Sequence, residues 1–145
     1  MTLAKLDNLV KIRQLKTEPP DQAEFDGMVA SAKRRLQDAG ITALSEESRF
    51  SLAYGAAHTL SLAAMRWHGY RSDNRYLVFQ CLEYTANFST EKWRVLDTCH
   101  KLRNLAEYEG QLDITPQLLR ELIAITQELL QIVETFAPIS KNIAH

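Results

Sequence analysis

Glycine, proline and cysteine are scarce in this chain, whose 145 residues include only five glycines, four prolines and two cysteines. The glycines and prolines mark turns between apolar segments, which is typical of an all-helical protein. No segment of convincing length alternates apolar and polar residues with a period of two, so no β-sheet is predicted. The length suits one domain that buries a substantial core.

Neither sign of charge dominates, because 17 basic side chains face 18 acidic ones and the formal net charge is −1. This balance excludes attraction of the chain as a whole to nucleic acid or to an anionic membrane. Any surface that binds a polyanion must therefore be local.

Long hydrophobic runs are absent as well. No stretch approaches the roughly 18 apolar residues of a membrane span, and Lys5, Asp7 and Lys11 interrupt the N-terminal segment where a signal peptide would be apolar. We therefore expect a cytoplasmic protein without a membrane partner. In that compartment Cys81 and Cys99, which share no close-spaced motif, are expected to be reduced and buried.

Motifs for metals and common cofactors are also missing. A di-iron centre in a helical bundle needs two Glu-x-x-His pairs, whereas the only acid-x-x-His spacing here runs from Asp97 to His100. There is no glycine-rich phosphate loop, nucleophile elbow or paired-cysteine zinc motif. The sequence thus predicts no metal and no cofactor.

Apolar residues recur three and four positions apart along most of the chain, which indicates amphipathic helices. Asp21, Ser45 and Thr115 have the character of N-caps, and Gly110 that of a C-terminal stop. The predicted fold is an all-α, up-and-down antiparallel bundle of five to six helices in one domain, residues 1–145. The helices are expected at about 3–16, 21–39, 45–69, 75–88, 91–109 and 115–137, with the core bundle at about 45–137.

The segment 66–76 is the most basic part of the chain and has Arg66, Arg71 and Arg75 interleaved with aromatic residues. Arginine on phosphate and rings for stacking suit a nucleic-acid strand, so these arginines are candidate binding residues. In the alternative interpretation they lie at helix ends, and the neighbouring rings are core or line a small-molecule pocket. The rings concerned are Trp67, Tyr70, Tyr76 and Phe79.

The end of the fifth predicted helix collects five different polar groups. His100, Arg103 and Glu107 are three and four residues apart along one edge of its apolar stripe, and Asn104 and Tyr108 lie on the next strip. Together they could grip a phosphate and position a hydroxyl. The alternative is a solvated helix edge, where Arg103 and Glu107 form a weak ion pair.

The alanine-rich third helix, the helix after Arg75 and the late Arg103-Asn104 pair together resemble the HEPN family of helical domains, across about residues 45–136. The resemblance implies a homodimer in which Arg and a downstream His from two protomers cleave RNA without metal. Arg103 and Asn104 match that motif, but Tyr108 occupies the region of the His, and His100 precedes the Arg. The candidate catalytic residues are therefore Arg103, His100 and Tyr108, and the candidate binding residues are Arg103, Asn104, Glu107, Arg66, Arg71 and Arg75.

The resemblance implies an RNA- or nucleotide-binding protein of a toxin–antitoxin or defence system, paired with an antitoxin or a nucleotidyltransferase. If it is an enzyme, it is a metal-independent endoribonuclease. The alternative is a non-enzymatic protein–protein interaction or dimerisation module. In that case the apolar last helix and the small-residue seam of the third helix would contact the partner.

Overall fold

The computed structural model describes residues 2–140, so residue 1 and residues 141–145 of the predicted domain lie outside the described residues. Within that range five helices of ten or more residues, one broken short helix and one two-residue strand pair follow each other. The all-α prediction is thus confirmed. In chain order the elements are α1 (Thr2–Lys11), β1 (Lys16–Thr17), α2 (Gln22–Ala39), α3 (Glu46–Trp67), β2 (Tyr70–Arg71), α4 (Arg75–Gln80), α5 (Leu82–Thr85), α6 (Thr90–Glu109) and α7 (Pro116–Glu134).

The predicted helix caps are confirmed by hydrogen bonds. The Asp21 carboxylate accepts from the Glu24 backbone N–H at 2.7 Å, and the Ser45 hydroxyl accepts from the backbone N–H three residues on. Thr115 caps α7 in the same way. Gly110 ends α6 with φ of +71°, a conformation that glycine adopts without the steric cost of a Cβ.

The main core is built around α3, which packs against α2 and α7. Small side chains let these helices approach closely, and the alanines of the α3 seam are completely buried. The seam is therefore covered by the chain's own helices. Its buried alanines are Ala53, Ala56, Ala57, Ala63 and Ala64.

A smaller second core lies where the end of α3 meets α1 and α4. Leu6 of α1 and Met65 of α3 are fully buried there, and Leu15 and Cys81 are nearly so. Cys81 and Cys99 are both free and buried, as predicted. Burial raises the pKa of each thiol to about 12, so neither carries a thiolate at neutral pH.

The prediction of no sheet was wrong in one small respect. β1 and β2 pair antiparallel, with Lys16 opposite Arg71 and Thr17 opposite Tyr70. Gly69, with φ of +91°, turns the chain after α3 and brings β2 alongside β1. Strands of two residues are too short to show an alternating pattern in the sequence.

Two helix boundaries also differ from the predictions. The first helix ends at Lys11 instead of continuing to residue 16, because Arg13 adopts φ of +63° and turns the chain. Leu15 lies outside the helix but is buried in the second core. Its spacing from the other apolar residues of the segment matched a helix, which is why the predicted helix was too long. The fourth predicted helix is broken into α4 and α5 at Cys81 and ends before Asn87, whose φ is +53°.

None of the helices in the described part of the chain is both long enough and apolar enough to cross a membrane.

Candidate anion-binding site

The candidate site is centred on Tyr54, which α3 presents toward α4 and α6. Its side chain is 1% exposed, and its ring stacks on Phe50 and meets Phe79 edge-on. A buried phenol needs hydrogen-bond partners, and the Tyr54 hydroxyl has two. It accepts from Arg75 Nη1 at 3.1 Å and lies 3.0 Å from His100 Nδ1.

These contacts determine how the polar groups around Tyr54 are oriented. The Asn104 amide nitrogen Nδ2, which is a donor, lies 3.3 Å from His100 Nε2, so Nε2 accepts and the neutral imidazole carries its proton on Nδ1. His100 Nδ1 therefore donates to the Tyr54 oxygen, which also accepts from Arg75. Burial raises the pKa of Tyr54, although Arg75 opposes the shift, so the hydroxyl keeps its proton.

Two guanidinium groups lie over the Tyr54 ring. The Arg75 and Arg103 Cζ atoms are 5.7 Å and 5.4 Å from the ring centroid, within the range of cation–π attraction. Arg103 Nη1 is also 3.7 Å from a carboxylate oxygen of Glu107, whose side chain is 65% exposed. An exposed pair at that distance contributes little, so Arg103 remains available to another anion.

The two arginines border a cavity of about 270 Å³ between α2, α3, α4 and α6. Among the described residues, those that line it include three arginines, one histidine and three hydroxyl-bearing side chains, but no carboxylate. Such a cavity attracts anions, because its positive charges are not neutralised within its wall. Its lining is Arg35, Ser51, Tyr54, Gly55, His58, Thr59, Arg75 and Arg103.

Arg35 reaches this cavity from α2 because Gly55 has no side chain. A Cβ placed at Gly55 would lie 3.2 Å from Arg35 Nη1 and 3.8 Å from its Cδ. The Arg35 side chain thus lies directly against α3 at Gly55. Glycine inside a helix costs about 1 kcal/mol relative to alanine, a cost that this close approach explains.

Two histidines at the site are held in the neutral form. Burial lowers the pKa of His58 to about 4, and the positive charges of Arg75 and Arg103 act in the same direction. Burial also lowers the pKa of His100, against the opposing effect of Asp97, and Arg75 and Arg103 lower it further. A neutral imidazole can accept a proton from a reacting hydroxyl.

A second, shallower cavity of about 220 Å³ adjoins the first and shares Ser51 and Arg103 with it. Unlike the first cavity, it combines an apolar floor with two carboxylates, those of Glu47 and Glu107. The floor consists of Phe50, Ala106 and Leu112.

The structure brings together only part of the predicted site. His100, Arg103, Asn104 and Arg75 all lie around Tyr54. Tyr108 does not join them, because its side chain is 90% exposed.

Arg66 and Arg71 belong to a different cluster. Arg66 is 2% exposed and donates to Glu24 Oε1 at 2.8 Å and to the backbone carbonyls of Glu18 and Pro19. Arg66 also lies 3.3 Å from the Glu18 carboxylate, and Arg71 pairs with the carboxylates of Glu18 at 3.1 Å and Glu24 at 2.7 Å. Its hydrogen bond and charge lower the pKa of Glu18. These arginines hold the segment after β1 against the end of α3.

The four rings that could have lined a small-molecule pocket do not share one. Phe79 is fully buried in the main core, Tyr70 lies in the second core, and Tyr76 is 43% exposed beside Trp93. Trp67 packs on Phe136 and donates to the Ala137 carbonyl at 2.8 Å. The aromatic side chains of this region are therefore structural.

Sequence reasoning missed Tyr54, Arg35 and His58. Tyr54 and His58 look like ordinary positions of a core helix, and α2 shows no feature that links Arg35 to the rest. One signal was present: Gly55 interrupts an alanine-rich helix, which indicates close approach of another group.

No His, Cys, Asp and Glu side chains within residues 2–140 form a group of three or more that could hold a metal ion. Comparison with protein-family models, with curated proteins and with solved structures gave no match. The function is therefore inferred from the geometry and charge of the site.

Proposed function

We propose that this protein is a HEPN-like helical domain that binds a phosphate group of RNA or of a nucleotide through the cavity beside Tyr54. The observation that carries the proposal is the convergence of Arg35, Arg75 and Arg103 on one cavity whose lining has no carboxylate. Arginine presents several N–H donors in a planar fork that matches the oxygens of a phosphate.

The two inner arginines are held in place before a ligand arrives. Arg75 donates to the Tyr54 hydroxyl, and both Arg75 and Arg103 lie over the Tyr54 ring. Such preorganisation reduces the entropy that is lost on binding. This separates the site from a solvated helix edge, where the arginine side chains would be free to rotate.

Ribonuclease activity is a second candidate function, favoured by the position of His100. Its imidazole does not itself line the phosphate cavity, but it lies 3.0 Å from the hydroxyl of Tyr54, which does, and its lowered pKa keeps it neutral at pH 7. In a metal-independent cleavage its Nε2 would accept the proton of the RNA 2′-hydroxyl as that oxygen attacks the phosphorus. The bond from phosphorus to the 5′-oxygen then breaks, a 2′,3′-cyclic phosphate forms, and the leaving 5′-oxygen takes a proton from the imidazolium or from water. Binding needs only the arginines and is therefore the primary proposal.

The proposal includes the context that the family resemblance implies. In that context the domain is a cytoplasmic homodimer and works with an antitoxin or a nucleotidyltransferase in a toxin–antitoxin or defence system. The exposed Leu105 and Tyr108 of α6, at 50% and 90%, offer an apolar strip next to the site for a second copy. The same strip supports the alternative of a non-enzymatic interaction module, because the α3 seam is already buried within the chain.

The test is fluorescence anisotropy with a labelled single-stranded RNA and with a labelled nucleotide, for the wild type, Arg103→Ala and Arg120→Ala. Arg120 is an exposed arginine of α7 that lines neither cavity, so its variant controls for the loss of one charge. We expect Arg103→Ala to weaken binding at least tenfold and Arg120→Ala to change it less than twofold. Equal effects of the two substitutions would show that binding depends on overall charge and would refute the site.

Incubation of the same proteins with RNA in EDTA tests the second function. Cleavage that is lost in both Arg103→Ala and His100→Ala would support a metal-independent ribonuclease. RNA that stays intact in the presence of folded, RNA-binding protein would exclude it and leave the binding function.

A further inference from the structure

The two adjoining cavities differ in a way that bears on the kind of phosphate that the site accepts. The first is bordered by three guanidinium groups, and the second, beyond Ser51 and Arg103, is bordered by the carboxylates of Glu47 and Glu107. The positive and negative walls therefore lie on either side of these two shared residues.

The first cavity, which is the positive one, carries more positive charge than is needed to neutralise one internal phosphodiester. A phosphodiester carries a single negative charge, whereas a phosphomonoester carries about −1.5 to −2 at pH 7 because its second pKa is near 6. Three arginines around a volume of about 270 Å³ match the monoester better. The hydroxyls of Ser51 and Thr59 supply further donors for its third free oxygen.

The neighbouring cavity is unfavourable for a second phosphate. A strand that continued past Arg103 would bring its next phosphodiester close to Glu47 and Glu107, and like charges repel. A nucleoside suits the same cavity, because its base can lie on the apolar floor. Its ribose hydroxyls or base N–H groups can donate to the two carboxylates.

We propose that the site binds a nucleotide by its terminal phosphomonoester, held by Arg35, Arg75 and Arg103, with the attached nucleoside in the cavity floored by Phe50, Ala106 and Leu112. This rests on the proposed function, in that Arg103 is the phosphate ligand, and it adds the class of phosphate. The ligand is a free nucleoside monophosphate or the phosphorylated end of an RNA. The two share the same chemistry at the site.

Arg35 is the residue that distinguishes a monoester from a diester. It enters the cavity from α2, across Gly55, whereas Arg75 and Arg103 are both anchored at Tyr54. A phosphodiester needs only the two anchored arginines. Arg35, the third arginine, would neutralise the additional negative charge of a monoester.

The experiment measures anisotropy of one short fluorescent oligoribonucleotide, labelled internally, in three forms: with a 5′-phosphate, with a 3′-phosphate and with hydroxyls at both ends. Unlabelled nucleoside monophosphate and the corresponding nucleoside serve as competitors. The proteins are the wild type, Arg35→Ala, Arg103→Ala and Arg34→Ala. Arg34 neighbours Arg35 on α2 and is exposed, as Arg35 is, but it does not line the cavity.

For the wild type we expect at least one phosphorylated form to bind tenfold or more tightly than the hydroxyl form. Arg35→Ala should reduce that difference to less than threefold, and Arg34→Ala should preserve it. Displacement by the monophosphate but not by the nucleoside identifies a free nucleotide as a ligand. Displacement only by phosphorylated RNA identifies an RNA end, and either result supports the inference.

The failures of the two proposals are distinguishable. If all three forms bind equally and Arg103→Ala weakens each of them, the protein binds internal phosphates and the terminal-phosphate inference is overturned. If no form binds to folded wild-type protein, the proposed function itself fails. Thermal unfolding of each variant shows whether a loss of binding reflects a loss of fold.

Discussion

Replacing Tyr54 with phenylalanine removes one oxygen atom from the centre of the site and leaves the packing of the ring unchanged. Stacking on Phe50, with centroids 6.3 Å apart, and the edge contact with Phe79 at 6.1 Å do not involve the hydroxyl. What is lost is the partner of Arg75 Nη1 and of His100 Nδ1, at a position only 1% exposed. The substitution therefore isolates the hydrogen-bond network from the core.

The size of the effect follows from those two hydrogen bonds. A typical intramolecular hydrogen bond contributes about 1 kcal/mol, and a buried group left without a partner costs about 1–3 kcal/mol. Arg75 is half-buried and can recover part of its loss by binding water, so we expect Tyr54→Phe to lower the free energy of unfolding by about 2 kcal/mol. For a chain of this length that corresponds to a fall in Tm of about 6–8 °C.

Urea denaturation followed by circular dichroism measures this difference, and Tyr108→Phe is the matched control. The Tyr108 side chain is 90% exposed, so removal of its hydroxyl should change the free energy of unfolding by less than about 0.5 kcal/mol. Tyr54→Phe should also bind phosphomonoesters more weakly, because Arg75 loses its anchor. If the two variants are equally stable, the network around Tyr54 does not exist as described.

Three further predictions concern Gly55, Arg66 and His58. Gly55→Ala should raise the free energy of unfolding by up to about 1 kcal/mol through helix propensity, yet weaken binding of inorganic phosphate because the new methyl group displaces Arg35; tighter phosphate binding measured by calorimetry would contradict this. Arg66→Ala should lower the free energy of unfolding by about 2–3 kcal/mol, because the backbone carbonyls of Glu18 and Pro19 lose their charged donor while the Glu24 carboxylate keeps Arg71 as a partner, and an unchanged urea midpoint would show that these bonds are dispensable. The pKa of His58 is about 6.5 in the unfolded chain and about 4 in the folded protein. Between these two pH values the unfolded chain binds more protons, so the free energy of unfolding should rise with pH across that window by up to about 3 kcal/mol. In His58→Gln that dependence should flatten, and an identical pH profile for the two proteins would refute the assignment.

The helices could be predicted because their signals are local. An N-cap such as Ser45, the Thr115-Pro116 pair and a terminal Gly110 each act within one turn of the residue that carries them. The break at Cys81 could not be predicted in the same way. Phe79 before it and Leu82 after it are both apolar and fully buried, so the hydrophobic pattern continues across the break in the helix.

The site could be predicted only to the extent that it lies on one helix. His100, Arg103 and Asn104 are neighbours on α6, and their spacing showed that they share a surface. Arg75 was among the candidate residues, but only as part of the segment 66–76 and not as a neighbour of Arg103. Tyr54 joins the site from α3 through tertiary packing, which no spacing within a single helix reveals.

Ligand binding is coupled to global unfolding, because the three arginines of the site come from three different helices, α2, α4 and α6. Arg35, Arg75 and Arg103 are 40 and 28 positions apart along the chain, and only the native packing around α3 brings them to one cavity. An unfolded chain therefore has no equivalent site, so any anion that fits the cavity acts as a non-covalent cross-link between helices. By mass action, a ligand at 100 times its Kd should raise the free energy of unfolding by about 2.7 kcal/mol. We therefore expect the protein to resist heat and proteolysis better when the anion is abundant. The time for which the protein survives in the cell would then increase with the concentration of the ligand.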